Sequence, residues 1–348
     1  MSEPVSGETI LSPFGLAYYT EHPELIETEL APAVTSFREF LNHWHFIDQD
    51  TGEERILGQE LWAGQEAFIV ALEEQPWIYA LKARQLGYTT IECAYDGWVA
   101  RFRNGAKNAR VHIYSKRDLD AVAFLERVKF GLDNLPEQMR LPYSVDTSHE
   151  LQLVGGENDE RLIIAYPADK DTSRGFTSNH AHVDEWAAMG DPKKVWGSIE
   201  PGVAGTCHLI TTGVGPDSYT AAYWLRCMAG DAVSRDEIPV RAFFTHALNR
   251  PDRTEAWLKG KKASMDELEY RREYAMTWQD ALFGGGDFIF KPSEIVACGI
   301  DFRGLCPAKP GRKYVKAWDI GRHQDAAVGI VLDITEDVHD VVGYVRLR

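Results

Sequence analysis

The stretch Trp77-Ile-Tyr-Ala-Leu-Lys-Ala-Arg-Gln-Leu-Gly-Tyr-Thr-Thr90 decides the fold predicted for this chain. Its apolar start, residues 77–80, is typical of a buried strand. Residues 82–87 indicate a loop, and a helix is predicted to begin at Thr89. A strand, a loop and a helix in this order form the frame of a phosphate-binding P-loop, in which backbone N–H groups at the helix N-terminus hold the phosphates. The stretch therefore favours an α/β nucleotide-binding protein.

The loop departs from the pattern GxxxxGK[ST] at two positions. Gly87 and Thr89 match the second glycine and the Mg²⁺-binding hydroxyl, whereas Lys82 replaces the first glycine and Tyr88 replaces the usual lysine. Lys82 can deliver the missing charge from the other side of the loop, and Arg84 can add a second positive group. A glycine followed by two threonines is also common at the start of a helix, so the loop alone leaves phosphate binding open.

Predicted strands and helices alternate along the chain. The strands are residues 111–114, 162–166, 180–183 and 207–211, and the helices are residues 34–43, 61–72, 118–132 and 219–228, with Ser115 or Asp118 capping the third helix. This alternation predicts a mainly parallel sheet covered by helices on both faces. Ligands of such sheets bind at the carboxyl ends of the strands, where the phosphate loop falls.

An acidic pair follows the predicted strand 180–183, in Asn179-His-Ala-His-Val-Asp-Glu-Trp-Ala187. In P-loop ATPases an aspartate at the position of Asp184 binds Mg²⁺, and a glutamate at that of Glu185 polarises the attacking water. Two charges at the end of a buried strand are costly without a metal or a partner, which favours a functional pair. The alternative is the first turn of a helix, where acidic side chains complement the dipole.

Two histidines precede this pair on one face of the strand. His180 and His182 have the spacing of two metal ligands, which supports a competing hypothesis, a metal-dependent hydrolase. An HxH pair without matched ligands downstream is more often structural.

Composition excludes few functional classes. Of the 348 residues 44% are hydrophobic, the net charge is −16, and no apolar run approaches the roughly 18 residues that span a bilayer. Five scattered cysteines form no CxxC pair, so neither a zinc ribbon nor a disulfide framework is predicted. Local basic patches remain able to contact DNA; the candidates are Arg101, Arg103, Lys107 and Arg110, or Lys259, Lys261 and Lys262.

The chain divides into four predicted segments. Residues 1–55 form an N-terminal lead-in, 56–250 the P-loop domain, 251–312 a connector with one helix at 265–274, and 313–348 the beginning of a second domain. In that last segment three strands are predicted, at 314–319, 326–334 and 341–347. The acidic residues of its turns, Asp333 among them, are predicted to be solvated.

Five segments together resemble the large terminase subunit of tailed bacteriophages. In order along residues 55–335 they are Leu61–Gln65, Leu81–Thr90, Val183–Ala187, Thr211–Gly213 and Glu273–Leu282. The resemblance implies an ASCE-type P-loop NTPase domain followed by the beginning of an RNase H-like nuclease. It implies ATP with Mg²⁺ as ligands of the first domain, and Mg²⁺ or Mn²⁺ as ligands of a complete nuclease.

The resemblance also implies roles for single residues. Gln65 matches an adenine-recognising glutamine, and its amide can both donate to and accept from an adenine edge. Lys82 matches a variant loop whose lysine has moved to the start, which accounts for Tyr88. The implied nucleotide-binding set is Gln65, Lys82, Arg84, Gly87, Tyr88, Thr89, Thr90 and Thr212, with Thr89 and Asp184 on the Mg²⁺.

The implied catalytic residues are Glu185 and Arg174. Arg174 matches an arginine that acts on the nucleotide of a neighbouring subunit, although a surface arginine in a glycine-containing loop is an equal alternative. Thr212 matches a motif that couples hydrolysis to movement, with an ordinary ST-turn as the alternative. Asp319, in Trp318-Asp-Ile-Gly321, matches the first metal ligand of the nuclease, and the later ligands are expected beyond Arg348.

The function implied is an ATP-driven motor that moves double-stranded DNA into procapsids. Its implied partners are double-stranded DNA, the portal protein, the small terminase subunit and further copies of itself in a ring. Its implied place is the host cytoplasm, with no membrane involved, and no DNA cleavage is expected from this chain. One alternative is a metal-dependent nuclease or hydrolase that acts through Asp319 or through His180 and His182, with a vestigial P-loop. The other is a non-catalytic factor that docks on the portal.

Overall fold

The computed structural model describes residues 11–102, 108–156, 158–168, 177–213, 219–234, 236–283, 307–319, 327–336 and 340–347. The helices are α1 Pro13–Glu21, α2 Ala31–Thr35, α3 Phe37–Phe40, α4 Ala63–Glu74, α5 Tyr88–Arg101, α6 Asp118–Asp133, α7 Pro192–Ile199, α8 Tyr219–Ala229, α9 Glu255–Ser264, α10 Glu267–Glu273 and α11 Trp278–Phe283. The strands are β1 His45–Ile47, β2 Glu54–Ile56, β3 Trp77–Lys82, β4 Arg110–Ser115, β5 Tyr143–Asp146, β6 Glu150–Gly156, β7 Asp159–Pro167, β8 Ser178–Val183, β9 Val203–Thr211, β10 Arg241–Thr245, β11 Tyr314–Asp319, β12 Ala327–Asp333 and β13 Asp340–Leu347.

An eight-stranded sheet in the order β10-β3-β9-β8-β4-β7-β6-β5 forms the centre of the first of two units, residues 1–287. Its first six strands pair in parallel, and β6 and β5 extend it as antiparallel strands. The predicted mainly parallel sheet is therefore confirmed. Strand β9 lies between the phosphate-loop strand β3 and the acidic strand β8, which is the arrangement of the ASCE class.

Residues on β3 alternate between two cores, one on each face of the sheet. Ile78 and Ala80 belong to the core that includes α5, and Trp77, Tyr79 and Leu81 belong to the core that includes α7 and α8. All six residues of β3 are buried, as expected for a strand covered on both faces. The phosphate loop therefore begins from the most enclosed part of the sheet.

The N-terminal residues pack into the α5 core through Trp44. A side chain at Gly97 of α5 would place its Cβ 2.6 Å from the Trp44 ring, and one at Gly131 of α6 would place it 2.1 Å away. Both helices therefore need glycine where the indole inserts between them.

Several element predictions were wrong. The helix predicted at 34–43 breaks because Ser36 is extended, with φ of −127°, and caps a new helix by accepting from the Glu39 amide. Helix α6 is preceded by Arg117 and has no side-chain cap, so neither Ser115 nor Asp118 acts as its cap. Five strands were not predicted, namely β1, β2, β5, β6 and β10. The last three lie at or next to the ends of the eight-stranded sheet, where the apolar pattern is weak.

Residues 251–287 differ from the predicted connector. They contain three helices, α9, α10 and α11, where one was predicted, and they belong to the first unit. The core of that unit takes up Leu258 and Tyr274 from this segment. The other predicted segment boundaries stay predictions.

The second unit comprises residues 288–348, and its described part is an antiparallel sheet in the order β11-β12-β13. The three predicted strands are confirmed. Asp333 was predicted to be solvated but is buried, and its carboxylate accepts hydrogen bonds from Thr335 and Arg312. None of the described helices combines the length and the apolar character that a membrane crossing requires.

Candidate nucleotide site

The carboxyl ends of β3, β8 and β9 bring three predicted site residues together. The Lys82 ammonium, at the end of β3, donates to Glu185 Oε1 over 3.2 Å. The backbone N–H and the hydroxyl of Thr212, just after β9, each donate to Glu185 Oε2 over 3.2 Å. Both carboxylate oxygens of Glu185 are therefore held by groups from the two strands next to each other in the sheet.

Glu185 is held in an unusual backbone conformation. Its φ of 50° and ψ of 43° lie in the left-handed region, which residues other than glycine adopt rarely and at a cost of roughly 1–3 kcal/mol. Burial raises the pKa of its carboxyl, but Lys82 and the hydrogen bonds from Thr212 outweigh burial and hold the pKa below its usual value. The side chain is therefore an ionised carboxylate, suited to act as a base.

Asp184 presents an unsatisfied acceptor beside this group. Its backbone N–H donates to the Tyr114 carbonyl over 2.8 Å, but its buried Oδ1 has no hydrogen-bond partner among the described residues. Burial raises the pKa of Asp184, and His182 opposes that shift. A buried carboxylate oxygen without a partner is a ligand that Mg²⁺ would satisfy, and Thr89 adds a hydroxyl to the same cavity. These residues fit the cation that the resemblance implies.

The phosphate loop requires glycine at position 87. Gly87 precedes α5 with φ of 74°, and a Cβ there would lie 2.4 Å from Gln65 Nε2. The loop ends at the N-terminus of a 14-residue helix, whose dipole and backbone N–H groups favour an anion.

The side chain of Tyr88 does not face the nucleotide cavity. It is 1% exposed, its hydroxyl hydrogen-bonds the Thr245 hydroxyl, and its ring stacks on Phe68 with centroids 4.0 Å apart. The predicted binding role therefore fails for this side chain and stays a prediction for its backbone N–H only. The residue at the position of the usual P-loop lysine is therefore packed in the core, which leaves Lys82 to supply the charge.

Gln65 lies beneath the phosphate loop and lines the cavity. Its side chain is 4% exposed and donates to the Leu86 carbonyl over 3.2 Å. Trp62 lines the same cavity, with the Arg250 guanidinium 5.9 Å from its ring centroid. The adenine role of Gln65 stays a prediction.

Two cavities meet at the phosphate loop. The first, about 340 Å³, is lined by the loop and by Trp62 and Gln65, and the second, about 470 Å³, by Asp184 and Thr212. Both are also lined by Arg84, Thr89, Arg127 and Glu185, and Thr90 lines the first. The structure thus brings together every described residue of the predicted set except the side chain of Tyr88.

Arg127 was not predicted. It is an exposed residue of α6 that lines both cavities. A single arginine on an amphipathic helix carries no sequence signal, because solvated helix faces contain many.

The segment that begins at Arg272 joins the phosphate loop to the loop after β9. The backbone N–H of Arg84 donates to the Glu273 carbonyl over 2.7 Å, and the two side chains form an ion pair of 3.2 Å. The backbone N–H of Gly213 donates to the Arg272 carbonyl over 3.0 Å. A Cβ at Gly213 would lie 2.6 Å from that carbonyl oxygen, so the close approach requires glycine.

Other predicted residues lie elsewhere. Arg174 lies outside the described residues, and Asp319 ends β11 in the second unit, with its side chain outside the described part.

Arg101 was a candidate DNA contact, but it is 1% exposed and donates to the Met139 carbonyl, so this prediction was wrong. Its pKa falls to about 9 because the guanidinium is buried.

The sheet order and the phosphate loop define an α/β P-loop NTPase fold. Two solved structures with a similar fold are both phage large terminases. The HK97 bacteriophage large terminase matches with a TM-score of 0.53 and 16% identity over 88% of this chain and 66% of that one. A variant of the ATPase domain of the Thermus phage P74-26 large terminase matches with a TM-score of 0.50 and 17% identity, over 62% of this chain and 93% of that one.

The chain therefore has the fold of phage large terminases, and the predicted resemblance is confirmed. No family model and no curated protein matches the sequence.

Proposed function

We propose that this chain hydrolyses ATP. The observation that carries the proposal is the arrangement of Lys82, Glu185 and Thr212 at the edge of two cavities that also contain the phosphate loop. A cation, an ionised carboxylate and a helix N-terminus around one cavity are the groups that phosphoryl transfer to water requires.

The residues around the two cavities divide into those that bind the phosphates, one that accepts the proton and two that would hold Mg²⁺. The helix N-terminus at Gly87 and the cations Lys82, Arg84 and Arg127 bind the phosphates. Glu185 takes the proton as the water oxygen bonds to the γ-phosphorus and the bond to the ADP oxygen breaks. Thr89 and Asp184 would hold Mg²⁺, which supplies charge neutralisation on the phosphate oxygens.

Phosphate binding must redistribute the contacts of Glu185. Both of its oxygens are occupied, one by Lys82 and one by Thr212. When a phosphate attracts the Lys82 ammonium, Oε1 becomes available to a water molecule. Thr212 stays bound to the other oxygen, and its neighbour Gly213 donates to the Arg272 carbonyl.

We further propose that hydrolysis moves double-stranded DNA into a procapsid, with portal protein, small terminase subunit and a ring of copies as partners in the host cytoplasm. The support is the ordered set of five terminase-like segments and the terminase fold. Arg174 acting on a neighbouring subunit and Asp319 acting in a nuclease rest on the resemblance alone.

The alternative hydrolase that uses the two histidines is less well supported. His180 and His182 are both 0% exposed, so neither faces a cavity large enough for a substrate. The other alternative, a non-catalytic factor, would also bind ATP, and it differs from the proposal only because it would not hydrolyse ATP.

ATP turnover in a Glu185→Gln variant tests the proposal. We expect a loss of about 10²- to 10⁴-fold in turnover with ATP binding retained, because the amide cannot accept the proton. Glu74→Gln, an exposed residue of α4, is the matched control and should hydrolyse ATP like the wild type.

Two outcomes would contradict the proposal. Unchanged turnover in Glu185→Gln would remove the carboxylate from the mechanism. Tight ATP binding without phosphate release by the wild type, with DNA and portal protein present, would favour the non-catalytic factor.

A further inference from the structure

A sealed cluster of ionisable side chains joins α5 to β8 and β9 behind the nucleotide site. Glu92 and Asp96 come from one face of α5, His180 and His182 from one face of β8, and His208 from β9, and all five are 0% exposed. The spacing of four places the two carboxylates on one face of α5, the spacing of two places the two histidines on one face of β8, and the packing of α5 on the sheet brings these faces together. ATP hydrolysis as proposed above uses none of them.

We propose that Glu92, His180 and His208 bind one zinc ion. One donor atom from each residue lies within 4.8 Å of the others. His208 Nδ1 and Glu92 Oε2 form a hydrogen bond of 2.9 Å, whose proton a zinc ion would replace, since donors around a tetrahedral zinc are about 3.3 Å apart for bonds of about 2.0–2.1 Å. Two imidazoles and one carboxylate suit zinc better than the oxygen-seeking Mg²⁺.

Buried polar atoms without hydrogen bonds point to a missing ligand. Glu92 Oε1 and His180 Nε2 have no hydrogen-bond partner among the described residues. His180 Nε2 is 3.1 Å from Asp96 Oδ1, but this contact does not have hydrogen-bonding geometry. An unsatisfied buried group costs about 1–3 kcal/mol, and His208 satisfies only one of the two Glu92 oxygens. A bound cation would satisfy both Glu92 Oε1 and His180 Nε2.

The groups around the three residues are those that support metal ligands. His180 Nδ1 hydrogen-bonds the Thr206 hydroxyl over 2.8 Å, which fixes the ring and leaves Nε2 for a metal. Asp96 pairs with His182 over 3.2 Å, so the second histidine of the HxH pair already has its own partner. The Tyr95 ring packs against His180 and His208, with centroids 5.0 and 4.6 Å away.

A metal at this position would tie together three elements of the nucleotide site. Helix α5 begins at the phosphate loop, β8 leads to Asp184 and Glu185, and β9 ends at Thr211. Binding there stabilises the folded state, since the three ligands come together only on folding. The inference does not depend on whether ATP is hydrolysed.

Metal titration of the full chain, prepared without a histidine tag and stripped by a chelator, tests the site. We expect one equivalent of Zn²⁺ or Co²⁺ per chain, a Co²⁺ absorption spectrum of low coordination number, a raised Tm, and no displacement by excess Mg²⁺. Thr206→Val removes only the supporting hydroxyl and should weaken the affinity about 10- to 100-fold. His208→Gln should abolish binding.

His112→Gln is the matched control, because His112 is 2% exposed on the neighbouring strand β4 and lies outside the cluster. Its metal binding should equal that of the wild type. Absence of stoichiometric binding by the wild type, or an affinity unchanged in Thr206→Val, would overturn the proposal. If His208→Gln does not fold, the metal affinity of Thr206→Val alone tests the proposed site.

Discussion

The two faces of the central sheet bury different chemistry at the same depth. On the face of α7 and α8 the core is aromatic; its members include Trp77, Tyr79, Trp186, Trp196, Tyr223 and Trp224. On the face of α5 an apolar core that contains Ile78, Ala80 and Trp44 also takes in ionisable side chains, namely Glu92, Asp96, His180, His182 and His208. Lys82 follows Ile78 and Ala80 at alternate positions, so it emerges on the α5 face as well.

The two faces therefore have different roles: the face of α7 and α8 stabilises the fold, and the face of α5 adjoins the site of the proposed reaction. Apolar burial is non-directional, so the aromatic face stabilises the strands mainly through the area that it removes from water. Ionisable groups need partners at defined distances, and those of the α5 face lead directly into the Lys82–Glu185 pair. Changes on the aromatic face should therefore alter stability, and changes at the end of the α5 face should alter turnover.

The largest effect is expected on the aromatic face. Trp224→Ala removes a fully buried indole that packs edge-on against Tyr79, with centroids 5.2 Å apart. We expect the free energy of unfolding to fall by about 3–5 kcal/mol in urea denaturation. Met228→Ala, on the same helix but 51% exposed, should lose less than about 0.5 kcal/mol. Similar losses in both variants would refute the assigned role of this face.

Lys82→Met is expected to act on turnover instead. The loss of the cation should lower ATP turnover by about 10²- to 10³-fold, the range found when one preorganised charge donor is removed. Because Lys82 lowers the pKa of Glu185, the acid limb of the remaining pH–rate profile should move to higher pH. Lys193→Met, an exposed residue of α7, is the control. An acid limb that stays in place would show that the pair does not couple.

His112 gives the sheet an acid sensitivity outside the catalytic edge. Burial lowers its pKa to about 4. Its contribution to stability is therefore present above the usual pKa of about 6.5 and is lost as the pH falls through about 4, up to about 3 kcal/mol. In urea denaturation at pH 7 and pH 4.5, His112→Gln should lose less stability than the wild type. The exposed His22→Gln should behave as the wild type, and equal losses in all three proteins would exclude this role for His112.

The smallest effect is expected at the Arg84–Glu273 ion pair. Arg84 has a side chain 56% exposed, so a double-mutant cycle with Arg84→Ala and Glu273→Gln should give a coupling free energy of about 0.2–1 kcal/mol. Raised salt should reduce it. A coupling of several kcal/mol would mean that the pair is shielded from water, contrary to this geometry.

Local pattern in the sequence predicted the strand, loop and helix around Gly87, the acidic pair after β8 and the three strands of the second unit. These features depend on neighbours in the chain: an apolar run forms a strand, and a glycine permits the left-handed turn before a helix. The placement of the phosphate loop and the acidic pair at one edge of the sheet also followed, because the carboxyl ends of parallel strands share that edge.

Only the tertiary structure decided which side chains face the cavity and which are sealed. Tyr88 sits inside the phosphate loop in the sequence, yet its ring stacks on Phe68, because the core beneath α5 has room for it. His208 and Glu92 meet across a separation of 116 residues. Such contacts depend on how α5 packs on the sheet, and no local pattern records that packing.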